Sequence, residues 1–286
     1  MKKPILTICA IFLICAAAGE GKFQERLARE QTKRLAQSAR DGWWFNRQIP
    51  DGAGLSSNLD DNKNTLEVKS SKANFKSGDK TISFELFEPA KSGKYPTIIL
   101  LYGSGGMAVG GPLFQLAAQA LARQGYIVYL PYYFERTGTQ FATPVEDLKN
   151  FTVWMKTVVD ALDYAAKQSN VDPKRIGLIG FSLGAFLSLS IATHEPRIKA
   201  VVEYFGGLPG LFTRDIKVMP PTLILHGAAD KIVSVDEAYA LEKLFKSKNL
   251  PYEIKIYPDQ GHGFSGTASV DALQRTIAFF DKNLKS

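Results

Sequence analysis

The chain has 286 residues, 45% of them hydrophobic and 22% charged, with a formal net charge of +7 and two cysteines. This composition is that of an ordinary folded protein and excludes a chain that is disordered throughout. The basic residues are scattered and no nucleic-acid-binding motif accompanies them, so we expect no nucleic-acid partner.

The first 18 residues are typical of a secretory signal peptide. Lys2 and Lys3 precede an apolar run that begins at Ile5, and Ala16 and Ala18 form an A-x-A cleavage site. We therefore predict an exported protein, periplasmic or secreted, with no stable membrane span once the peptide is removed. The alternative is an uncleaved N-terminal anchor, for which the apolar run is short. Both cysteines lie in this segment, so the mature chain has no disulfide, thiolate metal site or cysteine nucleophile.

Residues 19–66 form a predicted N-terminal extension. Its first half is charged and prone to helix formation, and its second half, which includes "NRQIPDGAGLSSNLDDNKNT", is polar and rich in turn-forming residues. We expect one helix followed by an irregular arm that packs on the main body. A role as a lid or as a partner-binding segment is the alternative.

Residues 67–286 form the predicted catalytic domain. Two alternating segments, "TLEVKSSKANF" and "TISFELFEP", indicate antiparallel strands, and about six apolar runs separated by helical patterns follow them. Near-continuous apolar runs are typical of parallel strands buried on both faces. The sequence therefore predicts a mixed, mostly parallel eight-stranded sheet with helices on both faces, which is an α/β-hydrolase fold.

The stretch "IGLIGFSLGAF" places Ser182 between a strand and a helix. Gly180 and Gly184 flank it at the spacing G-x-S-x-G, which predicts a sharp turn that raises the serine from the carboxyl edge of the sheet. A Cβ atom at either glycine would clash with the crossing strand or helix. We therefore predict that Ser182 is a nucleophile. The alternative is a tight strand-to-helix turn that carries no chemistry.

A serine hydroxyl needs a base, and the chain offers three histidines. His262 follows the last predicted strand in the glycine-rich loop "DQGHGFSG", at the same sheet edge as Ser182. His226 ends a strand, where a packed histidine is expected, and His194 ends a helix, where a surface cap is expected. We predict His262 as the base.

The base needs a carboxylate to orient it. Asp230 follows the penultimate strand in "LHGAADKIV" and is the predicted partner of His262. Asp236 lies at a helix start, where an acidic residue is expected in any case, and Asp259 lies only three residues before the histidine. The order serine, aspartate, histidine is that of α/β-hydrolases.

An oxyanion hole requires two N–H donors. We predict the backbone N–H of Leu183 as one of them. The glycine-rich loop "YGSGGM" after the strand "PTIILL" provides the other, from Ser104 or Gly103. For a substrate pocket, we consider Phe181, Met107, Tyr132 and Arg136, each of which is also a plausible core or surface residue.

From about residue 80 onward the chain resembles the dienelactone hydrolase family of α/β-hydrolases. The likeness is carried, in order, by "YLPYYFERTGT", "IGLIGFSLGAF", "LHGAADKIV" and "DQGHGFSG". Three positions depart from the founding enzymes of that family, which have cysteine in place of Ser182, glutamate in place of Gly103, and a carboxylate-binding arginine in place of Gly266. The resemblance implies a serine esterase-like member and does not identify its native ester.

We therefore predict an exported serine hydrolase that cleaves carboxylic esters through an acyl-enzyme, without metal or other cofactor. Its expected partner is a small-molecule ester. The alternatives are a serine peptidase or acyltransferase of the same fold, and a non-catalytic binding protein on a hydrolase scaffold. The sequence sets neither the native substrate nor the oligomeric state.

Overall fold

A computed structural model describes residues 66–214, 216 and 219–285. The predicted signal peptide, and all of the predicted extension except Leu66, lie outside these residues. Within them, no helix is both long and apolar enough to cross a membrane.

Among these residues, eight strands, numbered β1 to β8 along the chain, form one sheet in the order β1-β2-β4-β3-β5-β6-β7-β8. β1 and β2 are antiparallel to each other, β2 is antiparallel to β4, and the pairs from β4 to β8 are parallel. The predicted mixed eight-stranded sheet is therefore confirmed. The strands are β1 (Val68–Ser77), β2 (Lys80–Pro89), β3 (Tyr95–Leu101), β4 (Ile127–Pro131), β5 (Val171–Phe181), β6 (Ile198–Tyr204), β7 (Thr222–Gly227) and β8 (Tyr252–Tyr257).

In the described part of the chain, five α-helices alternate with the parallel strands. The four consecutive residues from Ile98 to Leu101 of β3 are fully buried. Because neighbouring residues of a strand point to opposite faces, this burial means that the centre of the sheet is covered on both faces. The helices are α1 (Gly106–Arg123), α2 (Pro144–Ala165), α3 (Leu183–Ala192), α4 (Asp236–Ser247) and α5 (Thr267–Phe280).

Local sequence explains where α2 begins. Thr143 caps α2: its side chain accepts the N–H of Glu146, and the Glu146 carboxylate accepts the N–H of Thr143. Pro144 occupies the first helical position, where its missing N–H is not needed. These contacts fix the start of α2 beside the carboxyl edge of the sheet.

Candidate active site

The turn between β5 and α3 is as sharp as the glycine spacing predicts. Ser182 has φ 54° and ψ −118°, a conformation that non-glycine residues rarely adopt. A Cβ atom at Gly180 would lie 2.2 Å from the carbonyl oxygen of Gly184, and one at Gly184 would lie 2.3 Å from that of Leu101. Both positions therefore require glycine for the strand and helix to approach this closely.

The structure brings Ser182, His262 and Asp230 together. His262 Nε2 lies 2.9 Å from Ser182 Oγ, and His262 Nδ1 lies 2.7 Å from Asp230 Oδ2. Because a carboxylate only accepts, Nδ1 carries the proton toward Asp230, which leaves Nε2 to accept the serine proton. The side chain of Asp230 is fully buried, and its Oδ1 accepts the N–H groups of Ile232 and Val233.

The other two histidines have different surroundings. His226 is fully buried, and its Nε2 donates to the carbonyl oxygen of Val233 at 3.0 Å. Burial lowers the pKa of His226 and keeps the ring neutral. His194 is exposed and hydrogen-bonds the neighbouring Thr193.

The two aspartates that served as alternatives also lie elsewhere. Asp236 is exposed and accepts the hydroxyl of Ser234 at 2.9 Å, at the start of α4. Asp259 is exposed in the loop after β8.

We call residues 103–106 the oxyanion loop. A Cβ atom at Gly103 would lie 3.1 Å from Ser182 Cβ, so the loop runs directly beside the proposed nucleophile. Leu183 is the first residue of α3, and a helix leaves its first N–H groups without intrahelical partners. The hydroxyl of Ser104 donates to Asp147 Oδ2 at 3.0 Å, so its proton is not available to a substrate oxygen.

Aromatic rings pack beside the Ser182 turn and against His262. Phe181 stacks on Tyr204 with ring centroids 4.6 Å apart, and Phe205 lies 4.7 Å from the imidazole of His262. Phe264 in turn meets Phe205 edge-on. The contact between Phe205 and His262 was not predicted from the sequence.

Met107, Tyr132 and Arg136 are the other predicted pocket residues, and the structure places them in different surroundings. Met107 lies in the first turn of α1, half-buried beside the oxyanion loop. The Tyr132 hydroxyl donates to buried Glu85 on β2, so its proton is used in a hydrogen bond within the protein.

The structure corrects the prediction for Arg136. Its guanidinium pairs with Asp79, in the β1–β2 turn, at 2.7 Å. β1 and β5 are four positions apart in the sheet, which at about 4.8 Å per strand places this turn roughly 19 Å from the strand that carries Ser182.

A buried acid lies behind the nucleophile turn. Glu203 is fully buried on β6, and its Oε2 accepts the N–H of Gly206 at 2.8 Å, while Oε1 has no hydrogen-bond partner in the described part of the chain. Burial raises the pKa of Glu203 to about 8. No group of three or more histidine, cysteine, aspartate or glutamate side chains placed to hold a metal ion occurs among residues 66–214, 216 and 219–285.

Comparison with known sequences and folds gives a consistent result. The sequence model of the dienelactone hydrolase family matches residues 82–283. A carboxymethylenebutenolidase homolog of Xenopus tropicalis is 28% identical over 185 residues, which cover 61% of this chain and 73% of the relative.

Two solved structures share the fold. A dienelactone hydrolase-like promiscuous phosphotriesterase from metagenomic libraries superposes with a TM-score of 0.65 at 18% identity, covering 76% of this chain and 98% of that one. The acylaminoacyl peptidase of Pyrococcus horikoshii superposes with a TM-score of 0.65 at 16% identity, covering 84% of this chain and 45% of the peptidase.

Proposed function

The chain belongs to the dienelactone hydrolase family, and from that premise we propose that it is a serine hydrolase that cleaves carboxylic esters. The observation that carries this proposal is the continuous hydrogen-bonded path from Ser182 through His262 to Asp230. A hydroxyl in that path is activated by a base that is itself held by a carboxylate.

The proposed reaction has two halves. Ser182 Oγ bonds to the ester carbonyl carbon as its proton passes to His262 Nε2, and the carbonyl oxygen becomes an oxyanion. When the tetrahedral species collapses, the bond to the alcohol breaks and His262 returns the proton to the leaving oxygen. Water then attacks the acyl-enzyme with His262 again as base, and this releases the acid and restores the Ser182 hydroxyl.

Charge in this sequence is handled by groups near the turn. Asp230 stabilises the imidazolium that forms on His262. The backbone N–H groups of Leu183 and of the oxyanion loop are the proposed donors to the oxyanion, and the N-terminus of α3 adds a favourable dipole.

We propose that the ester differs from the dienelactone of the founding enzymes. Gly266 stands where the resemblance placed a carboxylate-binding arginine, and it has no side chain to supply a cation. Arg136 cannot replace that arginine while it is bound to Asp79. With a cation from neither position, a substrate with a neutral alcohol or acyl group is the better fit to this proposal.

The location of the protein is part of the proposal. The charged start, the apolar run and the A-x-A site of residues 1–18 favour export. Cell fractionation of the producing strain, with N-terminal sequencing of the mature protein, tests this. A mature chain that begins at Gly19 or shortly after supports it, and an intact Met1 in the membrane fraction contradicts it.

Hydrolysis of short p-nitrophenyl esters by wild type, Ser182→Ala and Ser247→Ala tests the chemistry. Ser247 is an exposed serine at the end of α4 and serves as the matched control. We expect Ser182→Ala to lose essentially all activity and Ser247→Ala to keep it. Equal rates for wild type and Ser182→Ala would remove Ser182 from the reaction.

A fluorophosphonate probe and a peptide substrate separate the alternatives. Labelling of Ser182 in the folded protein supports catalysis, whereas a folded protein that is not labelled points to binding only. Faster cleavage of an acylated peptide than of any ester would favour a peptidase, and product that carries the acyl group on an added alcohol would favour an acyltransferase.

A further inference from the structure

The oxyanion loop is held from outside by the segment that leads into α2. The carbonyl oxygen of Ser104 accepts the N–H of Ala142 at 2.8 Å, and the hydroxyl of Ser104 donates to Asp147 Oδ2 at 3.0 Å. A Cβ atom at Gly106, which has φ 62°, would lie 2.3 Å from the carbonyl oxygen of Gln140. The loop and this segment therefore pack backbone to backbone, with one side-chain link.

The carboxyl group in this link, that of Asp147, lies in unusual surroundings for an acidic side chain. Asp147 lies in the first turns of α2, and its Oδ1 is shielded from solvent without a hydrogen-bond partner in the described part of the chain. The titratable groups placed against it are Tyr133, from the short helix Tyr133–Thr137, and Glu146, from its own helix, and neither is a cation. Asp147 is half-buried as a residue, and a carboxyl group with one shielded, unsatisfied oxygen contributes poorly to stability, which favours a functional reason for its presence.

We propose that Asp147 is a positioning residue. Its carboxyl group holds Ser104, and through Ser104 it positions the oxyanion loop beside Ser182. The same carboxyl group determines whether a negative charge lies behind that loop. This inference rests on the proposed function, because it concerns the same site. Asp147 does not touch the substrate and acts only through Ser104.

The protonation state of Asp147 then controls the loop. Burial raises the pKa of Asp147 to about 7, while burial keeps the Tyr133 hydroxyl neutral by raising its pKa well above the usual value. Below that pH the carboxyl group is neutral and does not repel the negative charge of an oxyanion in the oxyanion hole. Above it, a negative charge two groups away opposes the oxyanion that develops in the transition state.

Steady-state kinetics of four variants between pH 5.5 and 9.5 test the proposal. Asp147→Asn keeps an acceptor for Ser104 and cannot ionise, whereas Asp147→Ala and Ser104→Ala break the link. Asp163→Asn, a partly exposed residue of the same helix that pairs with Arg197, is the control.

We expect wild-type kcat to fall by about three- to tenfold from pH 6.5 to 9.5, the order of effect of one charge at an effective dielectric between protein surface and water. Asp147→Asn should match wild type at low pH and exceed it at pH 9. The two link-breaking variants should lose roughly tenfold or more in kcat at every pH with KM nearly unchanged. Asp147→Ala with wild-type kcat would overturn the positioning role, and Asp147→Asn with the wild-type alkaline decline would overturn the role of ionisation.

A second measurement does not depend on activity or on the stability of the alanine variants. In ¹H–¹⁵N spectra of the wild type, the amide signals of residues 103–106 should shift together with a midpoint near the pKa of Asp147, and in Asp147→Asn they should not. Loop amides that ignore pH in the wild type would overturn the inference. If the protein hydrolyses no ester and Ser182 is not labelled, the proposed function fails, and the amide titration still decides whether Asp147 controls the loop.

Discussion

One added methyl group at the nucleophile turn should be strongly destabilising. In Gly184→Ala the new Cβ would lie 2.3 Å from the carbonyl oxygen of Leu101 and 2.6 Å from that of Tyr102, where ordinary contacts are 3.4 Å or longer. β3 and α3 must therefore separate by roughly 1 Å, and no rotamer change can relieve a clash between backbone atoms. We expect a loss of about 3 kcal/mol in the free energy of unfolding and a fall in Tm of about 6–12 °C.

Thermal unfolding followed by circular dichroism measures the stability, with Gly210→Ala as the control. No heavy atom of the described residues lies within 4 Å of a Cβ atom at Gly210, so this variant should unfold like wild type. Because Tyr102 leads into the oxyanion loop, the displacement should also lower kcat/KM for esters by roughly tenfold or more. Gly184→Ala that matches the control in both Tm and kcat/KM would show that the close approach of strand and helix is not what these positions require.

Three further variants test other parts of the structure. Asp230→Asn should lower kcat by roughly 10⁴, because an amide can hold His262 in the wrong tautomer; a loss below tenfold would remove Asp230 from its role. Arg136→Gln should leave kcat/KM unchanged for neutral and for carboxylate-bearing esters, since its guanidinium is bound to Asp79, and a selective rise in KM for the anionic esters would instead place Arg136 at the site. Glu203→Gln should flatten the pH dependence of stability in urea unfolding: with a native pKa of about 8 against 4.5 for the free group, the folded protein binds the extra proton, so the wild type loses up to a few kcal/mol as pH rises through that range. An unchanged slope in the glutamine variant would mean that Glu203 is ionised in the native state.

The sequence was sufficient to predict the strands but not to predict which strands pair with each other. Each apolar run became a strand because burial on both faces leaves no polar positions to alternate. The sheet order could not be predicted in the same way. β4 lies between β2 and β3 in the sheet. On its β2 side, Leu130 of β4 and its neighbours pair with β2, a contact across more than 40 residues that no local pattern encodes.

The same limit applies to the site. Ser182, Asp230 and His262 could be selected because residues at the ends of parallel strands meet at one edge, and only three histidines competed for the base. Asp147 was not selected, since an acidic residue in the first turns of a helix is expected for its own sake. Arg136 was misplaced because its partner, Asp79, is 57 residues away in the chain.

Backbone strain marks the part of the site that local patterns could not show. Three described non-glycine residues have positive φ: Ser182, Phe205 and Asn249. Asn249 follows the end of α4, where asparagine commonly takes this conformation. The other two end adjacent strands, and the N–H groups of Ser182 and Phe205 still bond across the sheet, to the carbonyl oxygens of Tyr204 and Leu225. The hydrogen bonds of the sheet therefore hold each strand in place up to Ser182 or Phe205. The turn at Ser182 presents its hydroxyl, and the turn at Phe205 places its ring against His262. Strain of about 1–3 kcal/mol at each position persists only because the sheet beneath it is fixed, and so the rigidity of the strands is itself part of what places Ser182 and His262 together.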